Sequence, residues 1–273
     1  MFAGIHWQPH AIERIHEVKG TSTKPLKAVT DAGVALIKYI GNPAGEDALI
    51  SELIGSELAN LVGLDTPAFA VVNIPRTEID AVGSIAEAGP AFFSKWEQSF
   101  SLAPNSQILR NVRDTKKIVL LVIFDTWIRN KDRFCSDYNG QYENNNFDNI
   151  LFIPDKRKTK LMVIDQTHAF AETGLEYELD DGWANEEIIF GLFDEFKPFL
   201  NRNDIEFALN AISRIDANTI ESICQSTPKE WGMTSTLAKR LTECLIARGR
   251  NMQNWAMNSL LDQLELNLDG KEG

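Results

Sequence analysis

Residues 127–170 read WIRNKDRFCSDYNGQYENNNFDNILFIPDKRKTKLMVIDQTHAF, and the order of groups in this stretch decides how the rest of the chain is read. Asp132 follows an apolar helical run, Asn149 heads the short strand Asn-Ile-Leu-Phe-Ile, and Asp165 closes a second strand, Leu-Met-Val-Ile. The turn from Pro154 to Lys160 joins the two strands, so the stretch is predicted as loop, hairpin, loop. That order brings three oxygen-bearing side chains toward one end of a hairpin, the donor type that divalent metals and phosphate groups require.

Working outward, Asp114 to Asn130 is apolar on most sides and is predicted as the central helix of a larger lobe. Its Asp125, set among apolar neighbours, reads as a hydrogen-bonded structural carboxylate rather than a catalyst. Farther upstream the pattern is β-rich. A strand over residues 11–20, the small-residue loop Gly20-Thr21-Ser22-Thr23-Lys24-Pro25, and a second strand from Leu26 to Val29 make a hairpin whose loop amides are suited to phosphate. A strand from Gly33 to Ile40 carries Lys38 between apolar neighbours, and Gly41-Asn42-Pro43-Ala44-Gly45 ends it. Glu46 and Asp47 then open an amphipathic helix that runs to Val62 and stops at Gly63. Within it Glu52 borders the apolar stripe, where a carboxylate needs a cation, and Lys38 is the nearest candidate in the topology.

Ala68 to Ile74 is predicted as the last strand of this small lobe, ended by Pro75. From there to Ser106 the chain reads as an irregular connection with one short strand at Ala91-Phe92-Phe93. Beyond the quoted stretch the pattern turns helical: Asn185 to Phe199, Asp204 to Ile215, Ala217 to Cys224, and Ser235 to about residue 266, with Asn203-Asp204 and Thr234-Ser235 as caps. The resulting fold class is α+β in two lobes, with residues 1–74 as the β-rich N-lobe, 75–106 as the connection and 107–273 as the helical C-lobe.

The bulk composition narrows the function classes. A chain of 273 residues can bury a sizeable core, and 39 acidic against 27 basic side chains leave a net charge of -12, which disfavours nucleic acid and anionic membranes as direct partners. Three widely spaced cysteines, Cys135, Cys224 and Cys244, form neither a disulfide framework nor a zinc motif, and a reducing cytoplasm is the simpler setting. No stretch has the length and apolarity of a membrane span.

With Asn130-Lys131-Asp132-Arg133, Asp148-Asn149-Ile150-Leu151 and Ile164-Asp165-Gln166-Thr167-His168-Ala169-Phe170 in this order, the chain resembles the HipA-like kinase family. The resemblance continues upstream through Leu36-Ile37-Lys38-Tyr39, Gly41-Asn42-Pro43, Ser51-Glu52-Leu53 and Gly63-Leu64-Asp65-Thr66-Pro67. It implies a two-lobed protein-kinase-like fold that uses ATP and Mg²⁺. Lys38, held by Glu52, would meet the α- and β-phosphates; Asp132 would accept the proton of the attacking hydroxyl; Asn149 and Asp165 would hold Mg²⁺. Gly20, Ser22 and Thr23 would lie over the phosphates, with Ser22 or Thr23 open to autophosphorylation, and the backbone from Val71 to Ile74, including Val72 and Asn73, would meet the adenine.

Arg133 is expected to orient the loop, through a structural ion pair or by touching the transferred phosphate, and His168 to be packed and hydrogen-bonded. Asp132 and Asn149 are separated by 16 residues, against four in the usual kinase catalytic loop, so Cys135–Asn146 is expected to bulge away from the site as an exposed insertion. Asn145, Asn146 and Asp148 remain rivals of Asn149 for the metal. Phe134 stands where many relatives carry histidine. The leading reading is a serine/threonine protein kinase acting on an unidentified protein, with an antitoxin-like partner conceivable from the resemblance. The alternatives are a lipid or small-molecule kinase and a nucleotide-binding pseudokinase or interaction module.

Overall fold

The structure is a computed structural model that describes residues 7–17, 24–79, 84–99, 106–136 and 142–269. It has the α+β architecture expected, with a small antiparallel sheet toward the N-terminus and a helical C-terminal part. The N-terminal sheet takes β1 (Ile12–Glu17), β2 (Leu26–Thr30), β3 (Gly33–Lys38), β4 (Phe69–Ile74) and β7 (Gly89–Lys95), in the order β1-β2-β3-β7-β4. Alternation along β3 explains its two faces. Ala35 and Ile37 enter a small core with Leu26, Ala28, Phe93 and Trp7, whereas Lys38 lies on the opposite face.

The span from residue 75 to 106 is therefore more than a connection. After the short hairpin of β5 (Thr77–Ile79) and β6 (Ser84–Ala86), β7 inserts between β3 and β4. The short strand expected at Ala91-Phe92-Phe93 is the middle of β7, whose start at Gly89 and Pro90 the sequence disguised. Pro90 is tolerated because β3 pairs with β7 only from Phe92 onward, so no β3 partner is missing at the position without an N–H.

Helix α1 (Glu46–Val62) runs from Gly45 to a left-handed Gly63, as its terminators predict. It is buried on nearly every side, because the sheet covers it through Phe69 and Phe92 and the C-terminal part packs on its other flank. Below it lie α2 (Ser106–Arg110) and the central helix α3 (Lys116–Ile128), whose eleven residues from Ile118 to Ile128 are all buried. Then come the hairpin β8 (Phe134–Ser136) and β9 (Tyr142–Asn145), a 3₁₀ turn at Phe147–Asn149, and the hairpin β10 (Ile150–Asp155) and β11 (Lys158–Val163). Both strands of the second hairpin run longer than predicted, and only Lys156 and Arg157 are left as its turn.

The remaining helices are α4 (Leu175–Glu178), α5 (Asp181–Asn185), α6 (Arg202–Ser213), α7 (Ala217–Gln225) and α8 (Ser235–Asp269). The helix expected over 185–199 is absent apart from a 3₁₀ turn at Asp194–Phe199. The segment instead bonds to its neighbours, with Phe190 N–H donating to Thr126 Oγ1 (3.0 Å) and Gly191 N–H to the Phe134 carbonyl (3.0 Å). Gly191 has φ +73° and presses so closely on Asp125 that an added Cβ would sit 2.5 Å from Oδ2. Helix α6 is capped by Asn201, two residues before the expected cap, and α7 by Asp216. The buried Trp231 donates its indole N–H to the Pro90 carbonyl (2.9 Å), which ties the C-terminal helices to the N-terminal sheet. Among the described residues no helix is long and apolar enough to cross a membrane.

Candidate active site

The end of β3, the middle of α1 and the segment after β11 meet at Lys38. Its ammonium donates to Glu52 Oε1, to Thr167 Oγ1 and, at 2.9 Å, to Asp165 Oδ1. The Thr167 hydroxyl donates to Glu52 Oε1 (2.9 Å), closing a ring of three side chains to which Asp165 is joined through Lys38. Burial works against a charged lysine here, but Asp165 and Glu52 outweigh it and raise its pKa, so Lys38 stays protonated. Asp165 behaves in the complementary way: burial pushes its carboxyl up, and the Lys38 and Thr167 contacts bring it well below the usual carboxylate range. Glu52 is the costlier member, since burial drives its pKa upward against the pull of Lys38.

Helix α1 reaches this ring because Gly55 leaves room for it. A Cβ at position 55 would lie 2.7 Å from Gln166 Cβ, so only glycine lets the helix rest on the residue after Asp165. Two further bonds fix the docking: Ser51 Oγ donates to the Ala169 carbonyl (3.1 Å), and Leu175 N–H donates to Asp47 Oδ2 (3.0 Å). Asp165 itself has φ +58°, a conformation L-residues rarely hold, which is sustained by these surroundings.

Asp132 and Asn149 come together on the other side, with Asn149 Nδ2 donating to Asp132 Oδ2 (3.4 Å). Ile164 N–H donates to the Asn149 carbonyl (3.1 Å), so Asn149 and Asp165 flank the base of one hairpin. Arg133 holds that base from beneath. It is fully buried, pairs through Nε with Asp125 Oδ2 (2.8 Å), and donates through Nη1 to the carbonyls of Asn149 (2.6 Å) and Ile164 (3.1 Å). The structural ion pair is thus the role it takes, and Asp125 is the structural carboxylate predicted. Gln166 Oε1 accepts from Arg133 Nη2 (3.3 Å) and Asn130 Nδ2 (3.1 Å), linking the same hub to α1.

Several expectations are corrected. Cys135–Asn146 does not simply bulge away: Cys135 is buried, Asn144 Nδ2 donates to the Lys131 carbonyl (3.2 Å), and Asn146 Nδ2 bonds Asp132. Among the rivals for a metal, Asn146, like Asn149, gives its amide nitrogen to Asp132, and Asn145 sits in strand pairing with Phe134. Val72 and Asn73 are not brought to Lys38, because β7 lies between β3 and β4 and they pair with its Ala91 and Pro90. They line a cavity of about 410 Å³ with His10 and Arg14 instead. His168 is exposed rather than packed, on the wall of a cavity of about 740 Å³ that also touches Asp47, Ser51 and Thr167. Gly20, Ser22 and Thr23 lie outside the described residues. Thr167, Gln166 and Gly55 had no assigned role in the sequence, and Asn146 was named only as a rival for the metal. Thr167 alone carried a local signal, a hydroxyl two residues after a carboxylate, and its N–H does turn back to Asp165 Oδ1 (3.4 Å).

The donor set suits a hard divalent cation. Asn149 gives its amide nitrogen to Asp132, which leaves its oxygen, and Asp165 keeps Oδ2 beside the oxygen used by Lys38. Among the described residues no group of three His, Cys, Asp or Glu side chains could hold a metal.

A β-sheet lobe presenting a lysine to a helix glutamate, set over a helical lobe that presents Asp132, Asn149 and Asp165, defines a kinase-like fold. Residues 12–255 match the family model of HipA-like kinase, and the chain belongs to that family of phosphotransferases. It is similar to the crystal structure of the Helicobacter pylori proinflammatory kinase CtkA, with 15% identity, 89% of this chain and 96% of that chain covered, and a TM-score of 0.54. A Ralstonia eutropha protein assigned as an aminoglycoside phosphotransferase aligns over 91% of this chain and 95% of its own, at 11% identity and a TM-score of 0.30. No curated protein matches the sequence.

Proposed function

We propose that the protein transfers the γ-phosphate of ATP, with Mg²⁺, to a serine or threonine hydroxyl of a protein. The observation that carries this reading is the Lys38 ammonium bonded at once to Glu52, Thr167 and Asp165. It is a fixed, protonated cation beside a carboxylate with a free oxygen, the pair needed to grip a phosphate chain and its counter-ion.

Lys38 steadies the phosphates, and Glu52 keeps it from swinging away. Asn149 through Oδ1 and Asp165 through Oδ2 are the groups for Mg²⁺, which when bound neutralises charge on the phosphate oxygens. Asp132 orients the acceptor hydroxyl and takes its proton as the oxygen attacks the γ-phosphorus; the bond from that phosphorus to the β–γ bridging oxygen breaks, and ADP leaves with the electron pair. Arg133, bonded to the carbonyls beside both metal-binding positions, sets their spacing without touching the substrate.

Incubation with γ-labelled ATP and generic protein acceptors, with and without Mg²⁺, tests the reading. Label should appear on serine or threonine only with Mg²⁺, and Asp132→Ala should abolish nearly all of it. Equal transfer by both proteins would remove Asp132 from its role, and label on a lipid or small molecule alone would replace the protein acceptor.

A further inference from the structure

Asp132 is gripped by two amides that come from one turn. Asn146 Nδ2 donates to the Asp132 carbonyl at 2.7 Å and to Oδ1 at 3.0 Å, while Asn149 Nδ2 donates to the second carboxylate oxygen, Oδ2, at 3.4 Å. Both reach the same carboxylate because the 3₁₀ turn at Phe147–Asn149 is closed by Asn149 N–H to the Asn146 carbonyl (3.1 Å). With three residues per turn, positions i and i+3 stand one above the other, so Asn146 and Asn149 project to the same side. Phe147 anchors the turn in an aromatic cluster with Phe152, Phe193 and Phe196, at centroid distances of 6.0, 5.0 and 6.0 Å.

The hairpin of β8 and β9 delivers this turn. Phe134 pairs with Asn145, Asn146 N–H donates to the Arg133 carbonyl (2.9 Å), and Asn144 Nδ2 to that of Lys131. The carbonyls of residues 131, 132 and 133 are therefore each bonded by an asparagine of this hairpin. Of the two amides on the carboxylate, Asn146 makes the shorter bond, at 3.0 Å within the usual N–H···O range that the 3.4 Å contact of Asn149 exceeds.

We infer that Asn146 is a positioning residue for the transfer, fixing the Asp132 carboxylate in the orientation that meets the acceptor hydroxyl, and that the β8–β9 hairpin is a working part of the catalytic loop. The inference rests on the reading of Asp132 as the base. A residue that acts through Asp132 changes turnover without changing nucleotide affinity, and changes nothing once Asp132 is gone.

The test is a double-mutant cycle with Asn146→Ala and Asp132→Ala, together with Asn146→Asp, which keeps the shape and replaces the donor by an acceptor. Transfer from γ-labelled ATP to casein and histone gives kcat and the KM for MgATP, and the rise in melting temperature on adding MgATP reports nucleotide binding apart from activity. We expect Asn146→Ala and Asn146→Asp each to lower kcat by about 10- to 100-fold, with KM and the MgATP-induced rise unchanged, and Asn146→Ala to cost nothing further when added to Asp132→Ala. Unchanged kcat in both single variants overturns the inference, as does an equal loss in both backgrounds. Should Asn146→Ala fail to fold, the near-isosteric Asn146→Asp carries the same comparison. Wild-type transfer with an equally active Asp132→Ala is a separate outcome, which removes the base assignment itself.

Discussion

The two halves of the site are held in opposite ways. Around Lys38 two of the three contacts are between charges, the third is to the Thr167 hydroxyl, and the partners lie 14, 127 and 129 residues away, on α1 and on the segment after β11. Around Asp132 the contacts are neutral amides, half-buried, from residues 14 and 17 positions along the same loop. Removing a member of the first half leaves a buried charge without its partner, and removing Asp132 leaves only amides that water can satisfy. The first half should therefore register damage in stability as well as in activity, and the second in activity alone.

The largest effect expected is on the neutral side. Asp132→Ala should lower kcat by about 10²–10⁴-fold, the usual contribution of a positioned base, while its melting temperature stays close to wild type. A large thermal loss in this variant would break the comparison. Next comes Lys38→Met, which should lower transfer by about 10²–10³-fold and, by orphaning Glu52, should cost about 3–5 kcal/mol in denaturant unfolding. Adding Glu52→Leu to it sharpens the point: most of the stability should return and none of the activity. A smaller effect is expected for Gly55→Ala. The new methyl must push α1 off Gln166, carrying Glu52 away from Lys38, so steady-state kinetics should show KM for ATP rising and kcat falling together, by about tenfold. Unchanged kinetics would show that Gln166 gives way instead.

The same contrast governs what could be read from the sequence. Lys38, Glu52, Asp132, Asn149 and Asp165 were legible because each residue type is chemically demanding and their order along the chain is distinctive. Gly55, Gln166 and Asn146 were not, because their importance lies in a 2.7 Å approach, a buried amide and a hydrogen bond, none of which has a local pattern. Helix α1 announced itself through apolar periodicity and a terminal glycine, and α3 through a run apolar on most sides. Strand β7 was legible only in part: Ala91-Phe92-Phe93 read as a short strand, Gly89 and Pro90 hid its start, and nothing local placed it between β3 and β4. The helix over 185–199 failed for the opposite reason: local propensity favoured it, and hydrogen bonds to Thr126 and Phe134 won.

Even the neutral half rests on a charge one layer down, and pH gives the mildest test of that. Asp125, wholly buried beneath Arg133, has its carboxyl pushed up to about 6 by burial, against the pull of Arg133 and Asn130. A carboxyl raised in the folded state contributes stability that is present below its unfolded pKa, about 3.9, and that is lost as pH rises through the folded value. Asp165, depressed by Lys38, has the reverse sign: its contribution is present above the unfolded value and is lost only as pH falls through a much lower folded one. Between pH 4.5 and 6.5 Asp165 is therefore silent and Asp125 is not. Asp125→Asn should melt lower throughout, since Arg133 loses its counter-charge, and the gap to wild type should narrow by a few degrees as pH rises across that window. A constant gap would show that Arg133 keeps Asp125 ionised, placing charge pairing at the base of both halves of the site.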